Sequence, residues 1–299
     1  MKKIVITSFV MPHELDDLER VLVDLNKASK FVNGNNYEFY ISFSVSDYLF
    51  DWENSKVDKQ FFIDRFNSLK PLTDFAYKST FQIRDEIFGA FQTKRYAHME
   101  CKDVTHFIWL DTDICFDDKI LYYMENAIDA VESANITDKY FITPEIVKYW
   151  DTTWDCLVNE KFIDRELDYC KIANPFVDCG QYGDVGVESV FANVTGQPQT
   201  KFGAGWFTLL SKSLLDRIPL PESMGAYGPD DTFLMWAIEK LNQKGENINQ
   251  FKLKNYVVCE NYIYRDRKHY DTLIKRIDRK EEFKKQSYSV FEEELNKIT

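Results

Sequence analysis

Short, mostly apolar runs alternate with amphipathic stretches through the first half of the chain, and this alternation most narrows its fold. Residues 2–9 (KKIVITSF) are rich in β-branched residues, the composition of a buried strand. Leu15, Leu18, Val21, Leu22 and Leu25 then recur at helical spacing, so 14–30 is an amphipathic helix. A second strand covers 37–45 (YEFYISFSV), after which 47–80 reads as helix and loop. Residues 81–99 read as a helix, with Ile83, Ile87, Phe88, Phe91 and Tyr96 on or near one face. The run His106–Leu110 (HFIWL) is a short buried strand, 119–134 another amphipathic helix, and 139–143 the next strand. Alternating strands and helices predict an α/β domain with a mostly parallel sheet. Ligands of such sheets bind beyond the carboxyl ends of the strands.

The second half is less regular. Residues 150–200 carry four glycines and no long periodic run, and read as loops and short strands around a cleft. A strand ends at Leu210, a short helix follows, 230–244 is a helix, and 254–264 is a late strand. Beyond it the chain is helical and charged. No repeat or low-complexity linker separates the halves.

With 37 Lys+Arg against 49 Asp+Glu the net charge is −12, which argues against a general nucleic-acid binder. The charge is uneven: residues 264–285 hold nine Lys/Arg against five Asp/Glu, so the body is acidic and the tail basic. Six scattered cysteines without a CxxC pair predict reduced thiols in a cytoplasmic protein, with no disulfide framework and no zinc site. No stretch approaches the roughly 18 apolar residues of a membrane span.

Two acidic pairs carry the chemistry. Asp111 and Asp113 follow the apolar strand as Asp-Thr-Asp, and two carboxylates at i and i+2 at a strand's mouth can hold a hard cation. Asp117 and Asp118 follow and read as caps of the next helix. Asp230 and Asp231 open a helix directly after Gly228-Pro229. There the helix dipole favours one carboxylate, and its charge makes the neighbour more basic, as suits a general base. Trp206, after Gly203-Ala204-Gly205, either stacks on a sugar or base face or plugs the core.

These features together resemble a nucleotide-sugar glycosyltransferase of the GT-A fold, close to the broad family 2 type. The segments that carry the resemblance are IVITSFVMPHELDDLERVL, then STFQIRDEIFGAF with THFIWLDTDICFDD, then FGAGWFTLLSKSLLDRIPLP and YGPDDTFLMWAIEK. They span most of the chain, about residues 1–265. The resemblance implies a Rossmann-like, mostly parallel sheet flanked by helices, with a C-terminal helical extension. Residues 1–118 would form the nucleotide-sugar half, 119–263 the acceptor and catalytic half, and 264–299 the charged extension.

It further implies a hexosyl- or pentosyltransferase that moves a sugar from a nucleoside-diphosphate donor to an acceptor hydroxyl. Asp113 would hold Mn²⁺ or Mg²⁺ directly, with Asp111 on the metal or the ribose. Thr7, Ser8, Phe9 and Asp47 would meet base or ribose, and Arg84, on the helix before the DxD strand, the nucleotide. Asp231, matching the second acid of the family's Glu-Asp pair, would be the base, with Asp230 in place of the Glu. The family's third metal ligand is a His after the last strand; here Glu260 and Asn261 stand where it is sought, leaving His269, Glu260 or water. The acceptor is a saccharide or, given the basic tail, a hydroxylated base of DNA. A sugar-phosphate nucleotidyltransferase wants a glycine-rich phosphate loop that ITSFVMPHE lacks. A glycosidase also uses two carboxylates, but the strand–helix order with DxD at a strand end favours a nucleotide site. A non-catalytic carbohydrate-binding protein needs neither DxD nor Asp230-Asp231.

Overall fold

The computed structural model describes residues 2–147, 179–190, 206–260 and 277–299. Its strands are β1 (Ile4–Val10), β2 (Tyr37–Ser44), β3 (Lys78–Arg84), β4 (His106–Leu110), β5 (Ile114–Cys115), β6 (Tyr140–Val147), β7 (Gly180–Val190), β8 (Phe207–Ser211) and β9 (Asn249–Glu260). The α-helices are α1 (Leu15–Ala28), α2 (Lys59–Ser68), α3 (Ala90–Glu100), α4 (Ile120–Ala134), α5 (Lys212–Arg217), α6 (Asp230–Gln243) and α7 (Ile277–Lys297).

All nine strands join one sheet in the order β3-β2-β1-β4-β8-β6-β9-β5, with β7 paired to β9 beside that path. The pairs β1–β2, β2–β3, β1–β4 and β6–β9 are parallel, and β8 runs antiparallel between β4 and β6. From β1 the chain steps outward to β2 and β3, then returns to lay β4 on the other side of β1. That reversal opens a crevice at the carboxyl ends of β1 and β4, where open α/β sheets bind ligands.

Helices cover both faces, which is why β2 and β4 are buried along their whole length. One face packs α1 and α4 through Leu18, Leu22, Met124 and Ile128 onto Ile6, Ile41 and Ile108. The other packs α3, α5 and α6 through Phe91, Leu214, Phe233 and Leu241 onto Val5, Tyr40, Phe107 and Trp109. A smaller cluster of Met11, Leu49, Phe50, Ala226, Tyr227 and Phe283 ties the exit of β1 and the loop before α6 to α7. Within it the Tyr227 and Phe283 rings stack with centroids 6.2 Å apart.

The structure corrects four sequence expectations. Residues 81–99 are not one helix: Lys78–Arg84 is strand β3, and α3 starts only at Ala90. The supposed apolar face fails because Ile83 and Ile87 are 39% and 37% exposed, while β3 pairs along its length with β2. The first helix runs Leu15–Ala28 rather than 14–30, with 3-10 turns at Pro12–Glu14 and Ser29–Phe31 on either side. The late strand starts at Asn249 rather than 254, with Phe251 and Leu253 alternating inward; residues 261–264 of the expected strand lie outside the described residues. No side chain caps α4; Asp117 instead accepts from the Lys119 N–H at 2.9 Å and from the Tyr256 hydroxyl.

Among the described residues no helix is long and apolar enough to cross a membrane. Cys101, Cys115, Cys179 and Cys259 form no disulfide.

Candidate active site

Asp111 leaves the end of β4 at the crevice. Its N–H donates to the Trp206 carbonyl at 2.9 Å, extending the β4–β8 ladder by one bond into the DxD turn. The turn is held from below by α1: Arg20 donates to the carbonyls of Thr112 (2.8 Å) and Ile114 (3.0 Å). A planar guanidinium reaching two carbonyls two residues apart fixes the backbone that presents both carboxylates.

Burial, against the pull of Lys94, pushes the Asp111 carboxyl up to about 8; the charges of Asp113, Asp230 and Glu14 push the same way. The first acidic pair and Asp230 of the second therefore act on one another. Asp231 stands in the first turn of α6, its Oδ1 accepting from the Thr232 N–H at 2.7 Å.

Lys94 lies where these acids meet. It projects from the inward stripe of α3 shared with Phe91 and Ala97, is 7% exposed, and forms an ion pair with Asp230. Its ammonium also lies over the Trp109 ring, 4.7 Å from the centroid. Burial alone would lower its pKa, but Asp230, Asp111 and Asp231 outweigh burial and hold the ammonium above its ordinary range.

On the nucleotide side, Thr7 and Ser8 are buried in the middle of β1, which runs on to Val10 rather than ending with them, and neither hydroxyl has a hydrogen-bond partner among the described residues. The Ser42 and Ser44 hydroxyls of neighbouring β2 are likewise unpartnered and buried. Phe9 meets the Tyr227 ring edge-on at 5.9 Å. Asp47 lies apart on the surface, paired with Lys59 at 3.1 Å. Arg84 ends strand β3 rather than lying on a helix, and its guanidinium covers the Phe88 and Tyr96 rings while pairing with Gln82 and Glu86. Trp206 is half-buried against the core and reaches the DxD turn through its backbone carbonyl. His269 and the Gly203-Ala204-Gly205 turn lie outside the described residues.

Sequence reasoning missed Lys94, Arg20, Glu14 and Tyr227. Lys94 did carry a signal, since a charged residue three positions from both Phe91 and Ala97 interrupts an apolar stripe. The others carried none: their roles depend on contacts with distant segments.

Asp111 and Asp113 put two carboxyl groups on a turn held by Arg20, and oxygen donors of this kind are what a hard divalent cation would take. Among the described residues no group of three or more His, Cys, Asp or Glu is gathered as a metal-holding set. Mg²⁺-like ions commonly take one or two carboxylates, with water and phosphate oxygens completing the shell.

The fold is a mixed α/β one, a curled, mostly parallel sheet flanked by helices with a C-terminal helix, like that of the glycosyltransferase TarS. The chain is similar to S. aureus TarS with a TM-score of 0.50 at 11% identity, covering 87% of this chain and 36% of that one. It is also similar to S. aureus TarS 1–349 (0.48, 10% identity, 87% and 60% covered) and to TarS 1–349 in complex with UDP (0.45, 8% identity, 84% and 60% covered). The chain thus spans about a third of the length of TarS, and at these identities the likeness is one of fold. No protein-family model and no curated protein sequence matches it.

Proposed function

We propose that the protein is a metal-dependent glycosyltransferase that moves a sugar from a nucleoside-diphosphate donor to an acceptor hydroxyl. The observation that carries this reading is the meeting of Asp111, Asp230 and Lys94 at the carboxyl edge of the parallel strands, with Asp113 and Asp231 beside them. The fold shared with TarS supports it.

Asp111 and Asp113 would hold Mg²⁺ or Mn²⁺, which neutralises charge on the departing diphosphate. The buried, unpartnered hydroxyls of Thr7 and Ser8, with Phe9, suit the nucleoside. Asp231 takes the proton of the acceptor hydroxyl. The freed oxygen bonds to the anomeric carbon, whose bond to the phosphate oxygen breaks, and the nucleoside diphosphate leaves with that electron pair. Asp230 is tied up in its ion pair with Lys94. The acceptor is a saccharide or a hydroxylated base of DNA, the second suggested by the basic 264–285 stretch.

Release of nucleoside diphosphate from UDP-, GDP-, CDP- and TDP-sugars tests the reading. Asp231→Asn is expected to lower kcat by about 10²–10⁴-fold, the contribution of a positioned general base. Equal rates in the variant and the wild type would remove Asp231 from the reaction.

A further inference from the structure

Lys94 is buried, and nothing in the glycosyltransferase reading above assigns it a task. An ammonium group out of water is tolerated only when paired, and this one is paired across the chain. Asp230 lies 136 residues further on. Trp109 lies in β4 with Asp111 just beyond the strand's end, and Lys94 covers the Trp109 ring and feels the Asp111 charge. One side chain of α3 therefore touches the start of α6 and the end of the DxD strand.

The backbone supports the same junction. At the start of α3, a Cβ on Gly89 would lie 2.2 Å from the Ala226 carbonyl oxygen, so only glycine lets α3 approach the loop that leads to Asp230. The Thr93 hydroxyl, one residue before Lys94, donates to the Gly89 carbonyl at 3.1 Å and closes the first turn of α3.

We infer that Lys94 is a positioning residue of the transfer reaction: by holding Asp230 against the DxD strand, it sets where Asp231 faces the acceptor. Consecutive residues on a helix point about 100° apart. With Asp230 fixed on Lys94, the direction of Asp231 is fixed too, and its Oδ1 is steadied by the Thr232 N–H. The inference rests on the glycosyltransferase reading. It adds that the two acidic pairs are held in register by a resident cation, not by the substrates alone.

The test compares Lys94→Met, Lys94→Arg, Asp230→Asn and the Lys94→Met/Asp230→Asn double variant. Thermal unfolding, nucleoside-diphosphate affinity, and kcat and KM for hydrolysis of the preferred nucleotide sugar are read for each. Lys94→Met keeps the stem and loses the charge. Its kcat is expected to fall about 100-fold, the effect of a misplaced catalytic group, with donor KM and nucleotide affinity changing far less. Lys94→Arg is expected to recover most of that kcat. The double variant is expected to regain part of the thermal stability lost by Lys94→Met, because no buried carboxylate is left unpaired, while its kcat stays low.

A folded Lys94→Met with kcat within about twofold of wild type, well short of that loss, would overturn the inference. So would a parallel fall of kcat and nucleotide affinity, which would make Lys94 a donor contact. If the wild type hydrolyses no nucleotide sugar, the functional reading fails and the positioning role falls with it. The stability cycle between Lys94 and Asp230 still decides separately whether the ion pair is real, and no coupling there would overturn the structural half.

Discussion

Lys94, buried, and Asp230, half-buried, form an ion pair across 136 residues of chain, and that pair ties the start of α6 to the helix that packs behind the DxD strand. Each motif is common by itself. Together, at the carboxyl edge of β1 and β4 and around one ammonium group, they make a negatively charged crevice with an internal counter-ion. Such a crevice matches a diphosphate only when a cation accompanies it, which is the physical case for the metal dependence proposed above.

Arg20 should matter to that crevice without touching a ligand. Arg20→Met removes the donors to the carbonyls of Thr112 and Ile114, both buried residues. Urea denaturation is expected to show a loss of about 2 kcal/mol, the worth of charge-assisted hydrogen bonds to groups left unsatisfied. Nucleotide titration is expected to show about tenfold weaker binding as the two carboxylates lose their fixed spacing. Unchanged values for both would show that the DxD turn holds itself.

The burial of Asp111 costs the fold stability at alkaline pH. Its carboxyl titrates at about 8 in the folded chain against 3.8 ordinarily, so the folded state keeps a proton that the unfolded state has lost. The stability it contributes is present below about 3.8 and is lost as pH rises towards 8. Asp111→Asn cannot ionise and should be more stable than wild type at pH 8 by about 1–2 kcal/mol, after allowance for solvent screening. It should also lose sugar transfer. A variant less stable than wild type at pH 8 would contradict this.

His106 makes the opposite prediction at the other end of the sheet. Burial, with Lys2 nearby, lowers its pKa from 6.5 to about 4, and its ring nitrogens meet Tyr140 and Thr105, each at 2.8 Å. The unfolded chain takes up the proton first, so this stability is full above about 6.5 and drains away as pH falls towards 4. Its full size is about 3 kcal/mol. Thermal melts between pH 7 and 4 should fall more steeply for wild type than for His106→Gln, and parallel curves would rule the effect out.

What was legible in the sequence follows from the range of the forces involved. The run HFIWL declares itself a buried strand without help, so Asp111 and Asp113 were placed at its mouth from sequence alone. The Gly-Pro entry and inward Phe233, Leu234, Ala237 and Ile238 likewise placed Asp230 and Asp231 at a helix start. Strand β3 was misread because a seven-residue strand with few apolar residues is decided by pairing with β2, and nothing local records that pairing. Arg84 was misplaced with it. Lys94 was missed because Asp230 gives it meaning from a distance in sequence no periodicity spans.

The most direct measurement is a thermal-shift panel of UDP, GDP, CDP and TDP, with and without Mn²⁺, on the wild type and on Asp113→Ala. A ligand bound only by the folded chain at 100 times its Kd adds about 2.7 kcal/mol of stability. One nucleoside diphosphate is expected to raise the wild-type melting temperature in Mn²⁺, to do much less in chelator, and to leave Asp113→Ala unmoved. No shift with any of the four would contradict a nucleotide-sugar site, and an equal shift in chelator or in Asp113→Ala would contradict the metal.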